Sequence, residues 1–198
     1  MRTSSPTASF RDQTKFETLN EGKIEMRKQK GFSLIELLIV VAIILIIAAI
    51  AIPNLMRARM AANDSSAAAS ERTIVTGEIS YFSAYPTIGY SSLAALGGAA
   101  PCVPLPATAC VIDNNLALNG TPAGSGKSGY TFAMTTLTSA GSPVPNQFYT
   151  TAGPLTGGST GTKAFCAFDD GVVRQSVAGT WVIPGGYAAC QGLAPLAN

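Results

Sequence analysis

Gly31-Phe32-Ser33-Leu34-Ile35-Glu36 stands between a basic stretch, Arg27-Lys28-Gln29-Lys30, and an apolar run that ends at Ile52. The run from Leu34 to Ile52 is nineteen residues long, and Glu36 is its only charge. As a helix rising about 1.5 Å per residue it spans roughly 28 Å, close to the hydrocarbon thickness of a bilayer. A carboxylate at the centre of such a segment costs about 2.5 to 3.5 kcal/mol, and less near the end, where Glu36 lies. An acid retained at that cost asks for a partner. If the chain is cut after Gly31, Phe32 carries a free α-amino group four residues before Glu36, one helical turn away on the same face.

The string Lys28-Gln29-Lys30-Gly31-Phe32-Ser33-Leu34-Ile35-Glu36 resembles the class III signal of type IV prepilins and of type II secretion pseudopilins. The resemblance implies that a prepilin peptidase cleaves after Gly31 and methylates the new N-terminal Phe32. It also implies that Glu36 pairs with a neighbouring subunit's amine during assembly. Pro53 matches the proline that closes the family's apolar core. A secretory signal peptide has an apolar region of about 7 to 15 residues followed by a small-residue cleavage site, whereas helix-compatible sequence continues here through Pro53. A plain signal anchor leaves the glutamate unexplained.

Upstream, residues 1–25 are polar, mixed in charge and without periodicity, longer than such a leader needs. Starting at Met26 gives a compact leader, 26–31, with three positive charges and no acid, in keeping with the positive-inside rule. Residues 1–25 therefore read as a misassigned start or a cytoplasmic tail, and N-terminal sequencing of the uncut precursor distinguishes the two. Residues 1–31 hold seven basic and four acidic residues and the remainder six and seven, so a formal +2 becomes −1 after the cut. The balance gives no basic surface for nucleic acid. The 167 residues left after the leader, less a helix of about 50, suffice for one small domain with its own core.

The organisation read from the sequence is a leader at 1–31, a transmembrane and assembly half-helix at 32–53, and an amphipathic helix at 54–86. A connecting loop at 87–128 and a β-sheet head with a C-terminal tail at 129–198 complete it. In the second helical part Ala58, Ala61, Ala68, Val75, Ile79 and Phe82 recur at helical spacing, the face expected to pack on a sheet. A rod from Phe32 to about Tyr85 would be roughly 80 Å long, so its second half must stand outside a membrane. Pro53 removes one backbone hydrogen bond, Gly77 weakens the helix by about 1 kcal/mol against alanine, and Pro86 marks its end. The loop is rich in Gly, Ala, Pro, Ser and Asn. Tyr130, Phe132 and Met134 alternate with Thr131, Ala133 and Thr135 as in a half-buried strand, and 148–152 and 163–168 read as two more. Asp170-Gly171 supplies a hairpin turn into 172–176, with 181–183 as an edge piece. The fold class is α+β, a long N-terminal helix packed on a small antiparallel sheet.

Four cysteines in a head outside the cytoplasm point to disulfides, for which three pairings exist. The favoured pairing is Cys102 with Cys110, closing a loop around Pro104 and Pro106, and Cys166 with Cys190, tying the tail to the sheet. Zinc is disfavoured, because there is no CxxC spacing and no histidine. Gly120 with Gly126-Lys127-Ser128 has five residues between its glycines where a phosphate loop has four, and no helix pattern follows. Asp169-Asp170 reads as a surface turn in preference to the calcium site that some pseudopilins carry in C-terminal loops. The expectation is no cofactor, with calcium the weaker reading.

Without histidine the usual Ser-His-Asp, Cys-His and His-metal schemes are absent, so the chain reads as a structural protein and not an enzyme. The resemblance implies a subunit held in the inner membrane by one span with its head outside the cytoplasm. It would then be packed with copies of itself into a periplasmic or extracellular filament for adhesion, motility or DNA uptake. The partners implied are the prepilin peptidase, membrane lipid, an inner-membrane assembly platform and a separate ATPase. The alternative is a pseudopilin of a type II protein secretion system. A third, more distant class is an anchored binding module that never polymerises.

Overall fold

The structure, a computed structural model, describes residues 31–177, 179–180 and 183–196. The chain falls into two compact units, Met1–Ile43 and Ile44–Asn198. Residues 1–30 of the leader, its start site, and Trp181 and Val182 of the expected edge piece at 181–183 lie outside the described residues, and Ile183 is in no strand.

The dominant element is α1, Leu34–Ala84, whose helical backbone continues through Pro53. Its first hydrogen bond runs from the amide of Leu37 to the Ser33 carbonyl, so the helix begins two residues later than Phe32. It stops where the sequence demands: the amide of Tyr85 closes the last turn on Tyr81, and Pro86 disfavours helical backbone in the residue before it.

In the second unit a five-stranded antiparallel sheet has the order β1-β2-β3-β4-β5. The strands are β1 (Tyr130–Leu137), β2 (Gln147–Pro154), β3 (Phe165–Phe168), β4 (Arg174–Gln175) and β5 (Ala194–Pro195). The meander and its first strands follow the alternation in the sequence. The third strand begins at Phe165 and not Lys163, the fourth is only two residues long, and β5 carries no strand-like pattern at all.

Strand register sorts the side chains onto two faces. Phe132, Ala152 and Phe165 align across β1 to β3 on one face, followed by Met134, Thr150 and Ala167. This face forms the main core with Ala67, Ala68, Ile74, Val75 and Tyr81 of α1. On the other face Thr151, Cys166 and Arg174 align, beside Tyr149 and Phe168. There Phe168, Cys166 and Cys190 form a second cluster with Tyr149 and Tyr187, under the short helix α4 of Tyr187–Gln191. For that reason β3 is buried on both faces. The disulfides join Cys102 to Cys110 and Cys166 to Cys190.

Two expectations need correction. The segment 87–128 is not merely a connector: it carries two short helices, α2 (Leu93–Leu96) and α3 (Asn114–Ala117). Leu93, Leu96, Ile112 and Leu116 enter the main core. Its Gly and Pro content marks tight turns, while widely spaced apolar residues do the packing. The buried face of α1 also differs from the expected one. Ala68 and Val75 are buried, but Ala58 and Ala61 are exposed and Ile79 is 47% exposed. The face that meets the sheet includes Asp64, Glu71 and Glu78, three charged types that an apolar pattern search passes over.

Candidate processing and assembly site

In the first unit Gly31 precedes the helix and has open space around its α-carbon. Phe32, next to it, is 79% exposed. The junction is thus sterically open to a protease. Glu36 sits in the first turn of α1, where the positive end of the helix dipole favours an acid. It is exposed and makes no ion pair among the described residues.

Large apolar side chains are exposed along the whole stretch that follows, from Leu37 to Ile43 in the first unit and from Ile44 to Met56 in the second. This part of α1 is long and apolar enough to cross a membrane, and none of it is buried by the protein. An uncovered apolar surface of this extent marks contact with lipid or with another protein. Pro53 lies near its end. The four cysteines do not join this site; they staple the second unit.

Three acids that sequence reasoning missed define how α1 is held in the second unit. Asp64, Glu71 and Glu78 recur every seven residues, which places them on one face with Ala67, Ile74 and Tyr81. That spacing was the available signal. Asp64 accepts hydrogen bonds from the Tyr130 hydroxyl at 2.5 Å, the Thr162 amide at 3.0 Å and the Thr162 hydroxyl at 2.5 Å. Burial, reinforced by the Asp64 carboxylate, raises the Tyr130 phenol above its ordinary range, so it stays a donor.

Glu71 and Glu78 are fully buried. Both oxygens of Glu71 and one of Glu78 have no hydrogen-bond partner. The other oxygen of Glu78 accepts from the Ser91 amide at 3.2 Å. Burial pushes Glu71 up to about 8, and Glu78 to about 7, the latter partly offset by the Ser91 amide. Both acids are therefore largely neutral when the head is folded in mildly acidic solution.

The tail turns are held by protein groups. Asp170 accepts from the Val172 amide at 2.9 Å and pairs with Arg174 at 2.7 Å, while Gly171 takes the left-handed conformation the hairpin needs, at φ 78°. Asp169 accepts from Tyr187 at 2.5 Å. No group of three or more acidic, cysteine or histidine side chains forms a metal-type cluster among the described residues. Lys127, in the Gly-Lys-Ser loop, pairs with Asp113 at 3.4 Å, and a strand follows that loop.

Comparison with known proteins places the similarity at the N-terminus. Residues 26–52 match the family model described as the prokaryotic N-terminal methylation motif. The chain is 68% identical over 40 residues to the type IV wide pilus major component PilA4 of Thermus thermophilus, covering 20% of this chain and 30% of that one. It is 46% identical over 56 residues to the type IV major pilin protein PilA of Myxococcus xanthus, covering 28% of this chain and 26% of that one. The matched stretch thus spans less than a third of either relative's length. No solved structure gives a significant match. Through this N-terminal module, set on a long apolar helix that is followed by a small antiparallel sheet, the chain is similar to type IV pilins.

Proposed function

We propose that the protein is a pilus subunit, cut after Gly31, methylated at Phe32 and polymerised into a helical surface filament. The observation that carries this reading is the uncovered apolar stretch of α1 with one acid, Glu36, in its first turn. Before assembly lipid covers that surface, with the head outside the cytoplasm. In the filament the equivalent surfaces of other copies replace lipid. Each copy presents one surface and receives another, and such head-to-tail contacts extend without closing. The amine of Phe32 and the carboxylate of a neighbour's Glu36 neutralise one another in a low-dielectric core, where either charge alone would be strongly destabilising. That pairing also fixes the register between copies. Cleavage belongs to a prepilin peptidase, and extraction from the membrane to an assembly platform driven by a separate ATPase. The subunit itself carries out no chemistry and needs no cofactor. Both relatives are described as major pilus components.

The test is Glu36→Ala in the producing cell. The variant is expected in the membrane fraction at normal level, with its N-terminus at a methylated Phe32 by mass spectrometry. Filaments in sheared surface material should fall about tenfold or more, the scale of losing one charge-assisted contact. Filaments at wild-type yield would refute the pairing. Filaments built from chains still carrying their leader would refute the whole reading. Loss of protein secretion without surface fibres would reassign the chain to the pseudopilins.

A further inference from the structure

In the second unit a cavity of about 410 Å³ opens between α1 and the edge of the sheet formed by β3, β4 and β5. Its size falls within the range of small-ligand sites, about 300 to 1,000 Å³. The charge distribution in its wall is uneven. Among the described residues the only acid lining it, Asp64, already accepts three hydrogen bonds from Tyr130 and Thr162. Its two cations, Arg72 and Lys163, make no ion pair among the described residues. Lys163 donates at 2.8 Å to the side-chain oxygen of Gln175, a neutral group. That contact leaves further ammonium protons free, and the Gln175 amide nitrogen is another donor. Arg72 is exposed at the rim, with no side-chain hydrogen bond among the described residues. Phe165, Ala68 and Leu196 supply the apolar part of the lining.

A lining in which two cations face one acid that is already hydrogen-bonded, beside apolar side chains, suits an anion with a compact organic body. We infer that this cavity binds a small organic oxyanion, a carboxylate or phosphate monoester on a sugar-sized body, held between Arg72 and Lys163. Arg72 offers the planar fork that matches either oxyanion, and Lys163 a point charge opposite it. The site does not depend on the filament reading, since every residue in it belongs to the second unit, outside the apolar stretch of α1.

Calorimetric titration of the full processed chain in detergent, with glucuronate, glucose 6-phosphate and neutral glucose as probes, tests it. Saturable binding of at least one charged sugar and none of glucose is expected. Binding confined to glucuronate assigns carboxylate as the ligand group, and binding confined to glucose 6-phosphate assigns phosphate. Arg72→Gln and Lys163→Gln should each weaken the bound sugar about tenfold or more. Arg57→Gln, exposed and outside the cavity, should leave affinity unchanged. Raising salt should weaken binding as screening predicts. Absence of heat with both charged sugars, equal binding of glucose, or undiminished binding by Arg72→Gln would overturn the assignment. Arg72 is solvent-exposed, so its variant keeps the fold, and an unchanged thermal melt verifies this.

Discussion

Asp64 and Glu36 are both acids on α1 and solve opposite problems. Glu36 is exposed on an apolar surface and makes no ion pair among the described residues. Asp64 is buried and fully engaged, tying the helix to Tyr130 of β1 and to Thr162 just before β3. Replacing Asp64 by alanine leaves the Thr162 amide and hydroxyl short of an acceptor and the Tyr130 hydroxyl with the Lys163 carbonyl alone. The expected cost is about 2–3 kcal/mol of head stability, read from the urea unfolding midpoint of the processed chain in detergent. Tyr130→Phe should cost less, about 1–2 kcal/mol, because Thr162 still donates to the carboxylate. Equal stability of Asp64→Ala and wild type would show that the helix is held by apolar contacts alone.

Among the elements, α1 carries two features whose meaning reverses between sequence and structure. Gly77 looks like a weak point, yet a β-carbon there would stand 2.7 Å from the γ-methyl of Ile112, on the segment that packs across the helix. Gly77→Ala gains about 1 kcal/mol in helix propensity. It should nevertheless destabilise the head by about 1–2 kcal/mol net in thermal melting, because stiff β-branched Ile112 cannot move aside freely. The buried acids set a pH dependence. In the unfolded chain Glu71 and Glu78 ionise near 4.5, and in the fold near 8 and near 7. Between those values the folded head binds more protons than the unfolded chain, so rising pH favours unfolding. Their stabilising effect is complete below about pH 4.5 and is lost progressively to about pH 8, where the curve flattens. The total is on the order of several kcal/mol. Glu71→Gln should flatten most of that slope in unfolding curves recorded from pH 5 to 8, and an unaltered slope would place the titration elsewhere.

For the whole molecule, the second unit is a three-layer arrangement in which the sheet has α1 on one face and the tail helix α4 on the other. Disulfide Cys166–Cys190 closes 24 residues and Cys102–Cys110 closes 8. Chain-entropy arguments give about 3.5 and about 2.5 kcal/mol respectively. Replacing the first pair by serine should therefore lower the melting temperature more than replacing the second. It should also expose the outer face of β3, where Phe168 packs on Tyr187 at 4.9 Å, to amide exchange. A larger drop from the Cys102–Cys110 replacement would show that the loop, not the tail, limits stability.

The sequence by itself determined whatever depends on local pattern: the apolar length of α1, the lone acid at its start, the stop before Pro86, and the strand alternation of Tyr130, Phe132 and Met134. It also determined the turn at Asp170-Gly171, where an acid that caps and a glycine that turns left-handed are adjacent. Only the tertiary structure decided which face of α1 is buried, because Asp64, Glu71 and Glu78 count as polar until Tyr130 and Thr162 are brought to Asp64 from far along the chain and the sheet closes over the two glutamates. Likewise Ala194–Pro195 becomes a strand only because β4 offers it a partner, and Arg72 and Lys163, 91 positions apart in the chain, come to line one cavity. Local signals report backbone preference and solvent exposure. Contacts across large sequence separation depend on which surfaces meet, and that is a property of the fold.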